Sequence, residues 1–273
     1  MSEDGRILDV SHAFQDFDET FFSTGGVARL RSLVESQSNL LPEVDTDEVR
    51  TGPCIARPHQ VICLGLNYRD HADEVGEDAP NEPIVFNKAP NTVVGPFDDV
   101  CIPPGQVQVD WEVELSIVIS RRCRYLASPD EASNYIAGYC ISNDVSERVF
   151  QLQRGGQWVK GKSFETFNPC GPWLATPDEV DPRALELRLW VNGELMQSAT
   201  TKQMIFDVDY TIWYLSQFMV LMPGDLINTG TPPGVGMAMD PPRFLSPGDV
   251  MELEITGLGS QRQTCIPAPQ QRC

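Results

Sequence analysis

Apolar residues in this chain recur mostly with period two, and with helical period in only a few places. The clearest run is Asp110-Trp111-Glu112-Val113-Glu114-Leu115-Ser116-Ile117-Val118-Ile119. Its alternation predicts a strand over 111–119. Trp111, Val113, Leu115, Ile117 and Ile119 share one face, and Glu112, Glu114, Ser116 and Val118 the other. Segment 60–66 reads as a buried strand, and strand character returns at 83–86. Over 184–190, Leu185, Leu187 and Leu189 point inward, with Val191 beyond. Asn192-Gly193 follows as a hairpin turn. Two Pro-Gly-Asp turns, at 223–225 and 247–249, launch strands over 226–229 and 250–256. Helical spacing is confined to 26–35 and to 210–222, where Ile212, Leu215, Met219 and Met222 align before Pro223-Gly224. The pattern predicts a β-rich α+β domain with few helices.

Residues 1–58 read as a small N-terminal leader region, with an acidic loop at 43–48 and breaks at Pro53 and Pro58. Residues 59–273 would form the main domain. Of the 273 residues, 41% are hydrophobic, enough for a sizeable core. The formal net charge of −19 disfavours nucleic acid and anionic membranes as partners. No apolar stretch reaches membrane-spanning length, and no secretory h-region follows Met1. A cytoplasmic protein with reduced, mostly buried thiols is expected. None of the cysteines forms a CxxC pair, so a structural zinc site is not expected.

The acids of the alternating run change the picture. Glu112 and Glu114 point the same way, about 7 Å apart at two residues' rise. They repel unless solvated or bridged by a cation. With Asp144 downstream they form an all-oxygen set suited to Mg²⁺ or Mn²⁺. Asp144-Val145-Ser146-Glu147 also reads as a capping box. A helix starting there would align Asp144, Arg148 and Gln151 on one face, with a salt bridge from Asp144 to Arg148 as the plain alternative. Arg148 can hold a carboxylate through two parallel hydrogen bonds. Lys162, between Gly161 and Ser163, is a candidate electrostatic catalyst. His71 and Glu74 stand three apart, so one helical turn would make them a general-base dyad. The surrounding segment, 70–83, is acidic, polar and Pro-containing, and reads as a mobile lid. Thr231, in Thr229-Gly230-Thr231-Pro232, could help hold a carboxylate.

Taken in order, these motifs resemble the fumarylacetoacetate hydrolase family. They include Gly65-Leu66-Asn67-Tyr68-Arg69-Asp70-His71, Phe86-Asn87-Lys88-Ala89-Pro90, Glu112-Val113-Glu114-Leu115, Asn143-Asp144-Val145-Ser146, Gly161-Lys162-Ser163 and Pro223-Gly224-Asp225. The resemblance spans about residues 60 to 258 and leaves out the leader. It implies a mixed β-sandwich roll, a homodimer and a Mg²⁺ or Mn²⁺ ion on Glu112, Glu114 and Asp144. It also implies a His71/Glu74 dyad on a lid, with Gln151 and Lys162 stabilising oxyanion charge. Arg148, Thr231 and Tyr68 match substrate-binding positions. Departures at Glu147, Val149, Glu165 and Cys170 remove none of these groups.

The chemistry implied is enolate formation from a small 2-oxo acid. The first expectation is metal-dependent hydrolysis of a C–C bond in an acylpyruvate-type 2,4-dioxo acid. Decarboxylation of oxaloacetate or a related β-keto acid, or keto–enol tautomerisation, is the alternative.

Overall fold

The alternating run around Glu114 forms the middle strand of a seven-stranded sheet, not an edge. The structure is a computed structural model, and it describes residues 6–45 and 49–269. Part of the loop expected at 43–48 and both chain ends lie outside the described residues.

The strands begin with β1 Val61–Gly65, β2 Ile84–Lys88, β3 Val93–Val94, β4 Val100–Ile102 and β5 Val109–Asp110. There follow β6 Val113–Ile119, β7 Ile136–Asn143, β8 Ser146–Glu147, β9 Asn168–Ala175 and β10 Glu186–Val191. The last are β11 Glu194–Thr200, β12 Leu226–Asn228, β13 Val250–Ile255 and β14 Gly259–Pro267. The helices are α1 Glu19–Ser23, α2 Gly26–Gln37, α3 Arg69–Glu74, α4 Val159–Lys162 and α5 Val208–Ser216.

The large sheet runs β2-β1-β12-β6-β7-β9-β3. It is parallel at β1/β12 and β3/β9 and antiparallel elsewhere. The second sheet runs β11-β10-β13-β14-β4, parallel only at β14/β4. Asn192 and Gly193 both take positive φ between β10 and β11, as a two-residue hairpin of this hand requires.

One core fills the space between the sheets. Leu115, Ile117 and Ile141 of the large sheet meet Leu187, Leu189, Leu253 and Ile255 of the smaller one. Each such side chain contributes roughly 1.5–3 kcal/mol by leaving water. The opposite face of the large sheet carries a second core of Val61, Val118, Cys140, Cys170 and Leu226, sealed by Phe21 and Phe22 of α1. The N-terminal segment therefore packs on the same sheet face that carries Glu112 and Glu114. This is a mixed β-sandwich with few helices, the predicted fold class.

Three local expectations fail for identifiable reasons. The predicted strand 111–119 starts only at Val113. Side chains take over there, since Asn143 Oδ1 accepts from Glu112 N at 3.2 Å and Gln197 Oε1 from Val113 N at 3.0 Å. The helix expected at 210–222 begins earlier, capped by Asp207, and ends at Ser216. Leu221 is instead drawn into a bridge with Cys123. Asp144 caps no helix. It lies between β7 and β8, and helical structure starts only near Arg148, as a π-turn over Val149–Gln153.

Candidate active site

Alternation into β6 places Glu114, and Glu112 just before the strand, on the outer face of the large sheet, and the end of β7 brings Asp144 beside them. Asp144 N donates to the Glu112 carbonyl at 2.9 Å. One oxygen from each of the three carboxylates lies within 4.8 Å of the others, and all three residues are buried.

Two lysines meet these acids. Lys162 Nζ lies 2.8 Å from both Glu112 Oε2 and Asp144 Oδ2. Lys88 Nζ bonds Asp144 Oδ1 and, at 3.0 Å, the Val145 carbonyl. Gly161 makes the placement of Lys162 possible, since a Cβ there would lie 2.3 Å from the Glu147 carbonyl oxygen. Glu114 is held differently. Gly230, at φ +95, turns its N–H onto Glu114 Oε2 at 2.7 Å. Glu114 Oε1 is buried and has no partner.

These residues fit a hard divalent cation. The donors are carboxylate oxygens, they converge, and one is an orphan acceptor. The electrostatics agree. Burial, then Asp144 and Glu112, push Glu114 well above the usual carboxylate range. Burial opposes ionisation of Glu112 too, yet Lys162 and Arg148 hold it at about 2. Burial would discharge Lys162, but Asp144 and Glu112 override it and keep the ammonium charged. For Lys88 burial prevails over Asp144, and its pKa is lowered.

Arg148 does not bridge to Asp144. Its Nε donates to Asp110 Oδ2 at 2.9 Å, and its Nη1 to Glu112 Oε1 at 2.7 Å and Gln151 Oε1 at 2.9 Å. Asp110 also accepts from Gly236 N at 2.7 Å and Met237 N at 3.0 Å. Asp110 and Lys88 went unrecognised as site residues in the sequence. Asp110 opens the alternating run, and Lys88 sits in one of the family-like motifs. Neither residue type reveals its partner.

Segment 70–83 starts as ordered helix, because α3 spans Arg69–Glu74. One turn sets His71 Nδ1 3.1 Å from Glu74 Oε2. Glu74 Oε1 accepts from Gly234 N at 2.9 Å, tying α3 to the loop after β12.

His71, Glu112, Arg148, Gln151, Lys162 and Thr231 line one cavity of about 320 Å³. Glu114 and Asp144, both fully or nearly fully buried, are not among its lining residues. The Thr231 hydroxyl donates to the Val113 carbonyl at 3.0 Å and accepts from Gln197 Nε2 at 2.8 Å. Tyr68 does not line the cavity. It is fully buried with an unpartnered hydroxyl, and burial with nearby Glu114 raises its pKa.

The profile of the fumarylacetoacetate (FAA) hydrolase C-terminal family matches residues 60–266. The chain belongs to the fumarylacetoacetate hydrolase family. A Burkholderia multivorans protein provisionally named a hydrolase is 49% identical over 267 residues, covering 96% of this chain and 92% of its own. The 2-hydroxyhepta-2,4-diene-1,7-dioate isomerase of Mycobacterium marinum superposes with a TM-score of 0.73 at 37% identity. That match covers 84% of this chain and 82% of the isomerase. Maleylpyruvate hydrolase of Sphingobium sp. SYK-6, solved with manganese(II) and pyruvate, gives 0.77 at 29% identity. It covers 92% of this chain and 86% of its own. Hydrolases and isomerases thus share this family's fold, and the acids at 112, 114 and 144 form a buried cluster fit for a metal ion. Among the described residues no helix is long and apolar enough to cross a membrane.

Proposed function

We propose that this protein is a metal-assisted hydrolase that cleaves a C–C bond in acylpyruvate-type 2,4-dioxo acids. The observation that carries the reading is His71, paired with Glu74, on a cavity also lined by Glu112, Arg148 and Lys162. Glu112, Glu114 and Asp144 would hold a Mg²⁺ or Mn²⁺ ion. Such an ion would supply Lewis acidity to a bound 2-oxo acid.

The chain's own groups do the rest. Glu74 accepts the Nδ1 proton of His71, which leaves Nε2 as the proton acceptor. His71 Nε2 takes a proton from water, and the hydroxide adds to the C4 carbonyl. Gln151 and Lys162 offer N–H donors to the oxyanion that develops. The C3–C4 bond then breaks. Its electron pair stays on C3 as the enolate, which takes up the proton held by His71. The products are a carboxylic acid and pyruvate, and one water is consumed.

The cavity also bears on the acyl group. Its wall also contains Leu66, Ile84, Phe86, Leu152 and Trp158, with Glu77. The lining cations, Arg148 and Lys162, are both engaged by Glu112. Both cations already face a carboxylate of the protein, and Glu77 in the same lining would repel a second carboxylate of the substrate. The substrate is therefore an acylpyruvate with an apolar acyl tail.

The test is a screen of acylpyruvates of graded tail length, diacid analogues and oxaloacetate with Mg²⁺ or Mn²⁺, following both carbon products and CO₂. The reading expects pyruvate and the free acid in equal amounts, with diacids the poorer substrates. The isomerase relative supports a second reading, decarboxylation or tautomerisation through the same enolate. Release of CO₂ alone, or isomerisation with no second carbon product, would establish that reading instead.

A further inference from the structure

Three cysteines far apart in sequence meet on the outer face of the large sheet. Cys54 comes from the segment before β1, Cys140 from β7 and Cys170 from β9. Cys170 Sγ lies 3.6 Å from Cys140 Sγ and 3.8 Å from Cys54 Sγ, and the three sulfurs lie within 4.8 Å of one another. Cys140 and Cys170 are buried, while Cys54 as a residue is partly exposed. We propose that Cys54, Cys140 and Cys170 form a binding site for a soft d¹⁰ metal ion, with Cu(I) as the fitting occupant.

The spacing is the first argument. Thiolate sulfurs at about 2.3 Å from one ion stand roughly 3.8–4.0 Å apart. Two of the three edges here are already within a few tenths of an ångström of that. The third edge, from Cys54 to Cys140, is no longer than 4.8 Å. Coordination number and ligand type choose the ion. Structural zinc sites are almost always four-coordinate, and this cluster offers three donors. Soft sulfur ligands select Cu(I), which is satisfied by three. The three thiol protons leave to solvent as the ion binds.

This site is separate from the carboxylates. Cys140 pairs with Ser116, one same-face step along β6 from Glu114. Ser116 Oγ joins Asn228 at 2.8 Å, and Asn228 Nδ2 joins Asn168 at 2.8 Å, so a neutral polar network adjoins the acids. The thiols instead pack with Val61, Val118 and Phe22 in the second core. A bound ion would pin the segment around Cys54 to β7 and β9.

The experiment is an anaerobic titration of the reduced full chain with Cu(I), in excess Mg²⁺ and against bicinchoninate as a competing chelator. One Cu(I) per chain should be withheld from the chelator, with three sulfurs in the copper X-ray absorption shell. Cys170→Ser should weaken retention at least 100-fold. Cys54→Ser, at the partly exposed corner, should also weaken it while keeping the fold. Cys265→Ser, at a thiol outside the cluster, should leave it unchanged. Glu114→Ala should also leave it unchanged. Chelator stripping of the wild-type chain, or equal retention by wild type, Cys170→Ser and Cys54→Ser, would overturn the proposal.

Discussion

Asp110 Oδ2 accepts from Arg148 Nε at 2.9 Å. The contact aims the far end of the guanidinium at Glu112 and Gln151. Asp110 is fully buried, so it acts on substrate through Arg148, as a positioning residue. Asp110→Asn should raise KM for a 2-oxo acid roughly tenfold, as for about 1.4 kcal/mol of lost binding. It should lower unfolding stability by about 3 kcal/mol, because a buried guanidinium loses one of its two carboxylate partners. Steady-state kinetics and urea melts read both effects. An unchanged KM would place Arg148 outside substrate binding.

Glu114 Oε1 is the buried acceptor without a partner. Removing the carboxylate should cost little stability, since burial and two like charges already disfavour its ionisation. It should cost metal affinity heavily. Loss of a group that merely supports a metal ligand costs 10–100-fold, so loss of a ligand should exceed about 100-fold. Manganese binding by Glu114→Ala, followed by electron paramagnetic resonance, decides the matter. Wild-type affinity in a folded variant would remove Glu114 from the metal site.

His71 separates the two candidate reactions. Hydrolysis needs a base to deprotonate water, whereas loss of CO₂ from a metal-bound β-keto acid needs no nucleophile. A general base contributes about 10²- to 10⁴-fold. His71→Ala should cut C–C hydrolysis by that factor and spare most of any decarboxylation. Both rates belong in one preparation at saturating Mg²⁺. Full hydrolytic activity in the variant would mean that His71 is not the base.

Closure over the site should involve α3 and the segment after it. Glu74 links α3 to Gly234, so ligand contact with His71 would tighten both. Amide exchange over 69–82 should slow when Mg²⁺ and oxalate, a mimic of the pyruvate enolate, are added together. Identical exchange with and without the pair would take this segment out of the catalytic cycle.

The N-terminal segment carries its own pH dependence. Glu19 of α1 lies 2.7 Å from His59 Nε2 and raises its pKa, by hydrogen bonding and by charge. A histidine raised in the folded state stabilises fully below its unfolded pKa, and that contribution fades as pH rises through the folded value. The pair is exposed, so the effect is small. Amides of α1 should exchange more readily at pH 8 than at pH 6, after correction for intrinsic rates. His59→Gln should remove that difference, and a difference that persists would assign it to other groups.

Local pattern determined a good deal of this protein. Alternation at Trp111, Val113, Leu115, Ile117 and Ile119 marked the face that enters the inter-sheet core. Asn192-Gly193 marked its hairpin, and apolar spacing marked α2. The ordered motifs carried the family, because each combines residue types whose roles are set within a few positions of chain. The i, i+3 spacing of His71 and Glu74 became a contact because both lie on one helical turn.

Only the tertiary structure decided which charges meet. Local spacing favoured Arg148 with Asp144, but the chain leaves β7 extended, not helical, so the two side chains diverge. Arg148 then finds Asp110, and Asp144 finds Lys88 and Lys162. The three thiols show the same limit, since 86 residues separate Cys54 from Cys140 and 30 separate Cys140 from Cys170. Strand order brings them together, and strand order depends on long-range hydrogen bonding and burial, which no local spacing encodes.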